Sequence, residues 1–162
     1  EYAHHLDGLT PTPMAYREVR YCGILRESWY VCQESDCKYT FNELINNPRF
    51  PQRDKILEAI GKFTAALHKH GIFHSDYSGG NILFNDDGSK IQIIDLNRIH
   101  FYKSVSIKKG LKNFERLNID RNALSIIGTA YAQSMNIDTQ YAIDYIIAHR
   151  WKKHMKENIT NL

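Results

Sequence analysis

Through the middle of the chain the apolar residues recur at helical intervals. Ile56, Ile60, Phe63 and Leu67 lie three or four positions apart, which stacks them on one face of a helix. Pro51 suits a first turn and Gly71 supplies a stop, so the pattern predicts a helix between them. The same period predicts two further helices, near 120–135 (Leu124, Ile127, Tyr131, Met135) and 139–156 (Tyr141, Ala142, Tyr145, Ile146). Thr40-Phe41-Asn42-Glu43 matches a capping box and predicts a short helix starting there. Residues 1–9 read as the end of a helix, halted by the Thr-Pro-Thr-Pro stretch at 10–13. Elsewhere the period shortens. Ala15–Tyr21 and Ser28–Cys32 are rich in Tyr, Val and Trp, with Gly23 and polar residues between them, and predict an antiparallel hairpin. Ile82–Phe84 and Ile91–Ile94 predict a second hairpin around the turn Asn85-Asp86-Asp87-Gly88. The fold class is α+β, with helices concentrated in the second half.

Composition agrees with a single domain and removes several alternatives. The 162 residues are 43% apolar and carry a net charge of only +3, too balanced and too apolar for a disordered chain. No apolar run reaches the roughly 18 residues of a membrane span, and no repeat or low-complexity linker divides the sequence. The small charge and the absence of an aromatic–basic stripe argue against a nucleic-acid partner. Cys22, Cys32 and Cys37 make an odd, sparse set without CxxC spacing, read as reduced thiols of a cytoplasmic protein, with Cys32 and Cys37 expected to be buried. The chain starts at Glu1, so the lack of a leader carries no information about the native start.

The second hairpin converts spacing into geometry. Asn81 sits just before its first strand and Asp95 just after its second. Antiparallel pairing returns the chain to its starting end, so the two side chains should lie close together. Asp76 precedes Asn81 by five residues, on a loop whose Gly79-Gly80 is expected to bend sharply. Two carboxylates and an amide thus converge, and hard oxygen donors in a partial set suit Mg²⁺ carrying a phosphate substrate. The plainer alternative is that Asp76 and Asn81 cap a turn and Asp95 merely ends a strand.

The spacing His74-x-Asp76-x₄-Asn81, followed by Asp95, resembles the catalytic loop and metal-binding Asp of the protein-kinase fold. HSDYSGGNIL with IIDLNRIHF, the trailing Phe101 and Asn113-Phe114-Glu115-Arg116 resemble bacterial members of the lipopolysaccharide kinase family. That family phosphorylates Kdo or heptose sugars of the lipopolysaccharide inner core. The similarity runs from about Pro13 to Ile147, with only the central block specific. It implies one kinase-like domain over 1–162: residues 1–33 as a two-strand remnant of the N-lobe, 34–38 as hinge, and 39–162 as the helical C-lobe. It implies ATP and Mg²⁺ as cofactors and Asp76, Asn81 and Asp95 as the catalytic set. Asp76 would be the base, Asn81 and Asp95 would bind the metal, and His74 would brace the loop. The backbone of Glu34-Ser35-Asp36 would meet adenine, which adds Glu34 and Ser35 to the nucleotide contacts. A lipopolysaccharide core sugar would be the partner, met in the cytoplasm or peripherally at the inner membrane.

Departures from the kinase pattern narrow the expectation. Ser78 stands where Ser/Thr protein kinases usually carry Lys, and no Ala-Pro-Glu segment follows Asp95. About 25 residues separate Asp95 from the next predicted helix, little room for a peptide-docking platform. A sugar-like acceptor fits better than a protein, although Ser78 also resembles RIO-type kinases and antibiotic phosphotransferases. The nine glycines form no GxGxxG and the first lysine is Lys38, beyond the expected hinge. The 162 residues alone are therefore expected to be inactive, and a pseudokinase or binding module stays open as an alternative.

Two other clusters have ordinary readings. His68, His70 and His74 have metal-like spacing, but the first two are expected to sit as cations at a helix C-terminus. The basic run Arg150-Trp151-Lys152-Lys153-His154-Met155-Lys156, with Lys108, Lys109 and Lys112, reads as a solvated face. In a lipopolysaccharide kinase it would alternatively lean on an anionic membrane.

Overall fold

The computed structural model describes residues 6–160, the last ten as backbone alone. It opens with the predicted hairpin, β1 (Pro13–Tyr21) and β2 (Ile24–Cys32), paired antiparallel. The turn is tighter than the sequence suggests. Cys22 and Gly23 both take positive φ (49° and 78°), so the second strand starts at Ile24 and residues 24–27 belong to it. This ribbon is exposed on both faces, including Tyr16, Trp29 and Tyr30. For that reason Cys22 is exposed, as is Cys32 against expectation, while Cys37 is buried. The helix end read at 1–9 falls partly outside the described residues, and Leu6–Leu9 form a turn.

A strand pair of residues, β3 (Tyr39–Thr40), leads into α1 (Phe41–Asn46). The capping box is present: Thr40 Oγ1 accepts from the Glu43 N–H, and Glu43 accepts from the Thr40 N–H at 2.6 Å. Those bonds hold the Glu43 carboxyl below its usual pKa. The central helix α2 spans Arg53–Lys69 and buries Ile56, Ile60 and Leu67 as the period requires, with Phe63 half-buried. Pro51 lies in the turn ahead of the helix rather than in its first turn. Gly71 closes it at φ 74°, its N–H on the His68 carbonyl at 3.0 Å.

Two short sheets follow. In the first, β5 (Ile82–Phe84) lies between β3 and β6 (Ile91–Ile93), all antiparallel. In the second, β4 (Ile72–His74) pairs with β7 (Ile99–Phe101), bringing His74 opposite Ile99. The pattern does not announce β4 and β7, because three residues are too few to show alternation. The stretch after Asp95 also holds more structure than expected. A 3-10 turn covers Leu96–Arg98, α3 covers Ile107–Leu111 and a second 3-10 turn covers Lys112–Arg116. The chain ends in α4 (Arg121–Met135), capped by Asp120 on the Ala123 N–H, and α5 (Thr139–Thr160). Ala142 and Ile146 reach the core, whereas Tyr141 faces solvent. Side chains of the basic run beyond Arg150 lie outside the described residues, and Arg150 itself donates to the Ile119 carbonyl at 3.0 Å.

The core is the contact of α2 and α4 with the two small sheets beside it. The helices approach so closely at Gly61 that a Cβ there would stand 2.5 Å from the Ile127 carbonyl oxygen and 2.9 Å from Ala130 Cβ. Gly61→Ala should therefore push the helices apart and destabilise the fold by about 1–3 kcal/mol despite the higher helix propensity of Ala. A thermal melt several degrees below the parent checks this, and an unchanged or raised midpoint contradicts the close packing.

Candidate functional site

The loop between β4 and β5 is built from hydrogen bonds to its own backbone. The Asp76 carbonyl accepts from the Ser78 N–H at 2.8 Å and from Asn81 Nδ2 at 2.9 Å, and the Ser78 carbonyl accepts from the Asn81 N–H at 3.0 Å. The expected sharp bend is present as a reverse turn, with Gly79 and Gly80 between the bonded Ser78 and Asn81, but neither glycine takes a positive φ. Gly79 is small for another reason: the Asn42 side chain of α1 occupies the place of its Cβ.

Asp95 follows β6 in the left-handed region (φ 59°, ψ 59°), a conformation that turns the chain out of the strand into the 3-10 turn. The Ile94 N–H donates to the Asn81 carbonyl at 3.0 Å, so the hairpin does bring the Asn81 backbone against the residue before Asp95. Among the described residues no side chain or backbone group bonds the exposed Asp95 carboxylate, and Asn81 Oδ1 accepts no hydrogen bond. Two hard oxygen donors on adjoining backbone are thus left uncommitted. That donor chemistry fits a divalent cation that keeps most of its coordination for phosphate and water.

His74 connects the two segments. Its Nδ1 accepts from the Asp76 N–H at 3.1 Å and its Nε2 donates to the Ile94 carbonyl at 2.9 Å, which assigns the proton to Nε2. His74 is 1% exposed, and its ring lies between the backbone of Asp76 and that of Ile94, the residue before Asp95. His68 is buried too. Its Nε2 donates to Asn113 Oδ1 at 2.8 Å, and its Nδ1 accepts from the Tyr131 hydroxyl at 2.9 Å. Burial pushes its pKa down to about 4, so it is not the cation expected at the helix end. His70 bonds the Ala66 carbonyl, so the three histidines serve three separate places.

Arg116 is the residue near Asp76 to which the sequence assigned no role. Its Nη1 donates to Asp76 Oδ1 at 2.8 Å, and both side chains are partly exposed. Forty positions separate the pair, and no local pattern signals such a contact. The Asn113–Arg116 segment stood out only by resemblance. Lys109, read as part of a solvated face, lies 3.6 Å from the centroid of the Tyr102 ring in a cation–π contact.

The segment read as a hinge is tied to β6. Ser35 Oγ donates to Gln92 Oε1 at 2.6 Å and accepts from the Cys37 N–H, while Asp36 pairs with Lys90 at 2.9 Å. That lysine bond holds the Asp36 carboxyl below its usual pKa. Glu34 is exposed. Ser35 thus reaches the strand that leads into Asp95, whereas among the described residues no hydrogen bond or ion pair joins Glu34 to Asp76, Asn81 or Asp95.

Comparison with known proteins gives this geometry a context. The family described as the lipopolysaccharide kinase (Kdo/WaaP) family matches residues 9–138. A solved structure described as WaaP in complex with acyl carrier protein is similar at a TM-score of 0.68 and 17% identity, over 94% of this chain and 72% of that chain. At that identity the likeness carries the fold, which is kinase-like. No curated protein matches the sequence.

The buried histidine has a measurable consequence. Folded, His68 stays neutral down to about pH 4, while the unfolded chain titrates it near 6.5. The unfolded state therefore holds the extra proton between those values, and stability falls as pH drops through that window, by on the order of 3 kcal/mol in all. Above pH 6.5 the contribution is fully present. Urea unfolding from pH 7 to 4 should show this decline in the parent and a shallower one in His68→Gln, and equal slopes would contradict the assignment.

Proposed function

The chain belongs to the lipopolysaccharide kinase (Kdo/WaaP) family, and from that premise we propose that the protein transfers the γ-phosphoryl group of ATP to a hydroxyl of an inner-core sugar, Kdo or heptose. The observation that carries the reading is the His74 ring, which bonds the backbone at Asp76 and at the residue before Asp95. Two carboxylates with different work are thereby held to one rigid group, as phosphoryl transfer requires when positioning supplies most of the catalysis.

In this proposal Asp76 accepts the proton of the acceptor hydroxyl as its oxygen bonds to the γ-phosphorus and ADP departs. The carboxylate is half-exposed, so an acceptor can reach it, and Arg116 orients one of its oxygens. Asn81 Oδ1 and the Asp95 carboxylate are the groups that would hold Mg²⁺, which when bound neutralises charge on the phosphates. Ser35 and Glu34 remain the candidate neighbours of adenine, and the lobe divisions at 1–33, 34–38 and 39–162 belong to the same reading. So does a cytoplasmic site of action with peripheral contact to an anionic membrane. No helix among the described residues is long and apolar enough to cross a membrane.

Asp76→Ala should lower kcat by 10²–10⁴-fold, about 3–5 kcal/mol of barrier, with little change in KM for ATP. Asp95→Ala should lower kcat and also raise both the KM for ATP and the Mg²⁺ concentration needed for half-maximal rate. Steady-state assays of the purified intact protein, rather than of the 162 residues alone, with Kdo-bearing and heptose-bearing core acceptors test both variants and name the sugar. Near-parental turnover in Asp76→Ala with an unchanged melting temperature would overturn the catalytic assignment and favour a binding module on the same scaffold.

A further inference from the structure

Behind His74 runs a second set of buried polar groups, remote from solvent and absent from the phosphotransfer scheme. Asn113, 3% exposed, spans it: Nδ2 donates to the His74 carbonyl at 2.7 Å, and Oδ1 accepts from His68 Nε2 at 2.8 Å. The Tyr131 hydroxyl completes the line by donating to His68 Nδ1. Four elements contribute one group each: α4 through Tyr131, α2 through His68, the 3-10 turn 112–116 through Asn113, and β4 through His74. Every donor has an acceptor and no member carries charge, because His68 is neutral at ordinary pH. A fifth element packs directly on the line. A Cβ on Gly110 of α3 would overlap the Tyr131 hydroxyl and stand 2.7 Å from His68 Nδ1.

Such an arrangement is costly to bury unless every group is satisfied, and it is satisfied in only one relative placement of the elements. We propose that Asn113 and His68 are positioning residues of the phosphotransfer reaction, fixing the height and tilt of His74 and through it the backbone of the Asp76 loop. The inference rests on the phosphotransfer reading of Asp76. Neither residue touches the reacting atoms. Asn113 acts on the His74 carbonyl, and His68 acts by holding the Asn113 amide in the one orientation that aims Nδ2 at that carbonyl. A flipped amide would set two donors, Asn113 Nδ2 and His68 Nε2, against each other.

The Asp76, Ser78 and Asn81 amides, each hydrogen-bonded within the loop, report its placement directly. Asn113→Asp keeps an acceptor for His68, but sets a carboxylate oxygen in place of the donor to His74 and adds a buried charge. In the purified intact protein, native-state hydrogen exchange at these three amides should quicken at least tenfold while the α2 and α4 cores keep their protection. The kcat should fall ten- to a hundredfold with KM for ATP within twofold of the parent. Conservative rescue gives an independent arm: His68→Gln, whose amide can replace the Nε2–H donor, should retain most of the loop protection and kcat that His68→Leu loses. Parental exchange and kcat in Asn113→Asp would overturn the proposal, as would exchange quickened equally throughout the core, or His68→Gln as impaired as His68→Leu. Should Asn113→Asp not fold, the His68 pair decides. Should the parent transfer no phosphate to any core acceptor, the functional reading fails by itself, and loop exchange alone then decides the positioning role.

Discussion

A histidine ring can join two backbone segments with opposite demands, because its neutral form has one nitrogen that accepts and one that donates. His74 is used in this way, accepting from the Asp76 amide and donating to the Ile94 carbonyl. The constraint is stricter than packing. Either exchanging the tautomer or rotating the ring would set like groups against each other in a buried place, at about 1–3 kcal/mol for each unsatisfied group. The position of the Asp76 loop relative to the Asp95 turn depends on this one ring, aided by the Ile94–Asn81 backbone bond on the other side of the hairpin.

The ring is held in turn by the helical scaffold. β4 begins directly after Gly71, whose positive φ reverses the chain out of α2, so His74 stands only five residues beyond the last helical residue. The depth at which α2 sits is set by its contact with α4, where Gly61 allows backbone to meet backbone. From that contact His68 and Tyr131 face each other, and Asn113 passes the arrangement to β4. Apolar burial supplies the stability of this region, and the hydrogen bonds select one placement from the many that burial alone would tolerate.

Charge is distributed differently from polarity. The buried groups are neutral, and the ionised side chains near the site, Asp76, Asp95 and Arg116, keep contact with solvent. An exposed ion pair such as Arg116–Asp76 contributes little to stability, so it can be exchanged for an acceptor without disturbing the fold. Rigidity resides in the neutral interior, and reactivity resides at its wet edge.

Much of the architecture could be read from the sequence because it is local. Helical period located α2, α4 and α5, the capping residues Thr40 and Glu43 located α1, and the turn at Asn85–Gly88 located the hairpin that aligns Asn81 with Asp95. The His74–Asp76–Asn81 spacing pointed to the candidate loop for the same reason: its partners lie within a few residues. What escaped was non-local or too short. β4 and β7 are three residues each and exist only because they pair across 24 intervening positions, as the 74-to-99 register shows. His68 looked like a terminal cation, since its period marks its face but not the Tyr131 and Asn113 groups, 63 and 45 residues away, that make it a neutral interior residue. Gly79 was expected only to let the loop bend, and the approach of Asn42 adds a demand for space that no local pattern signals. The sequence determined the longer helices and the two hairpins, through torsional preference and the period of apolar burial. Tertiary structure alone decided protonation and partner, because those follow from which polar groups remain once water has been excluded.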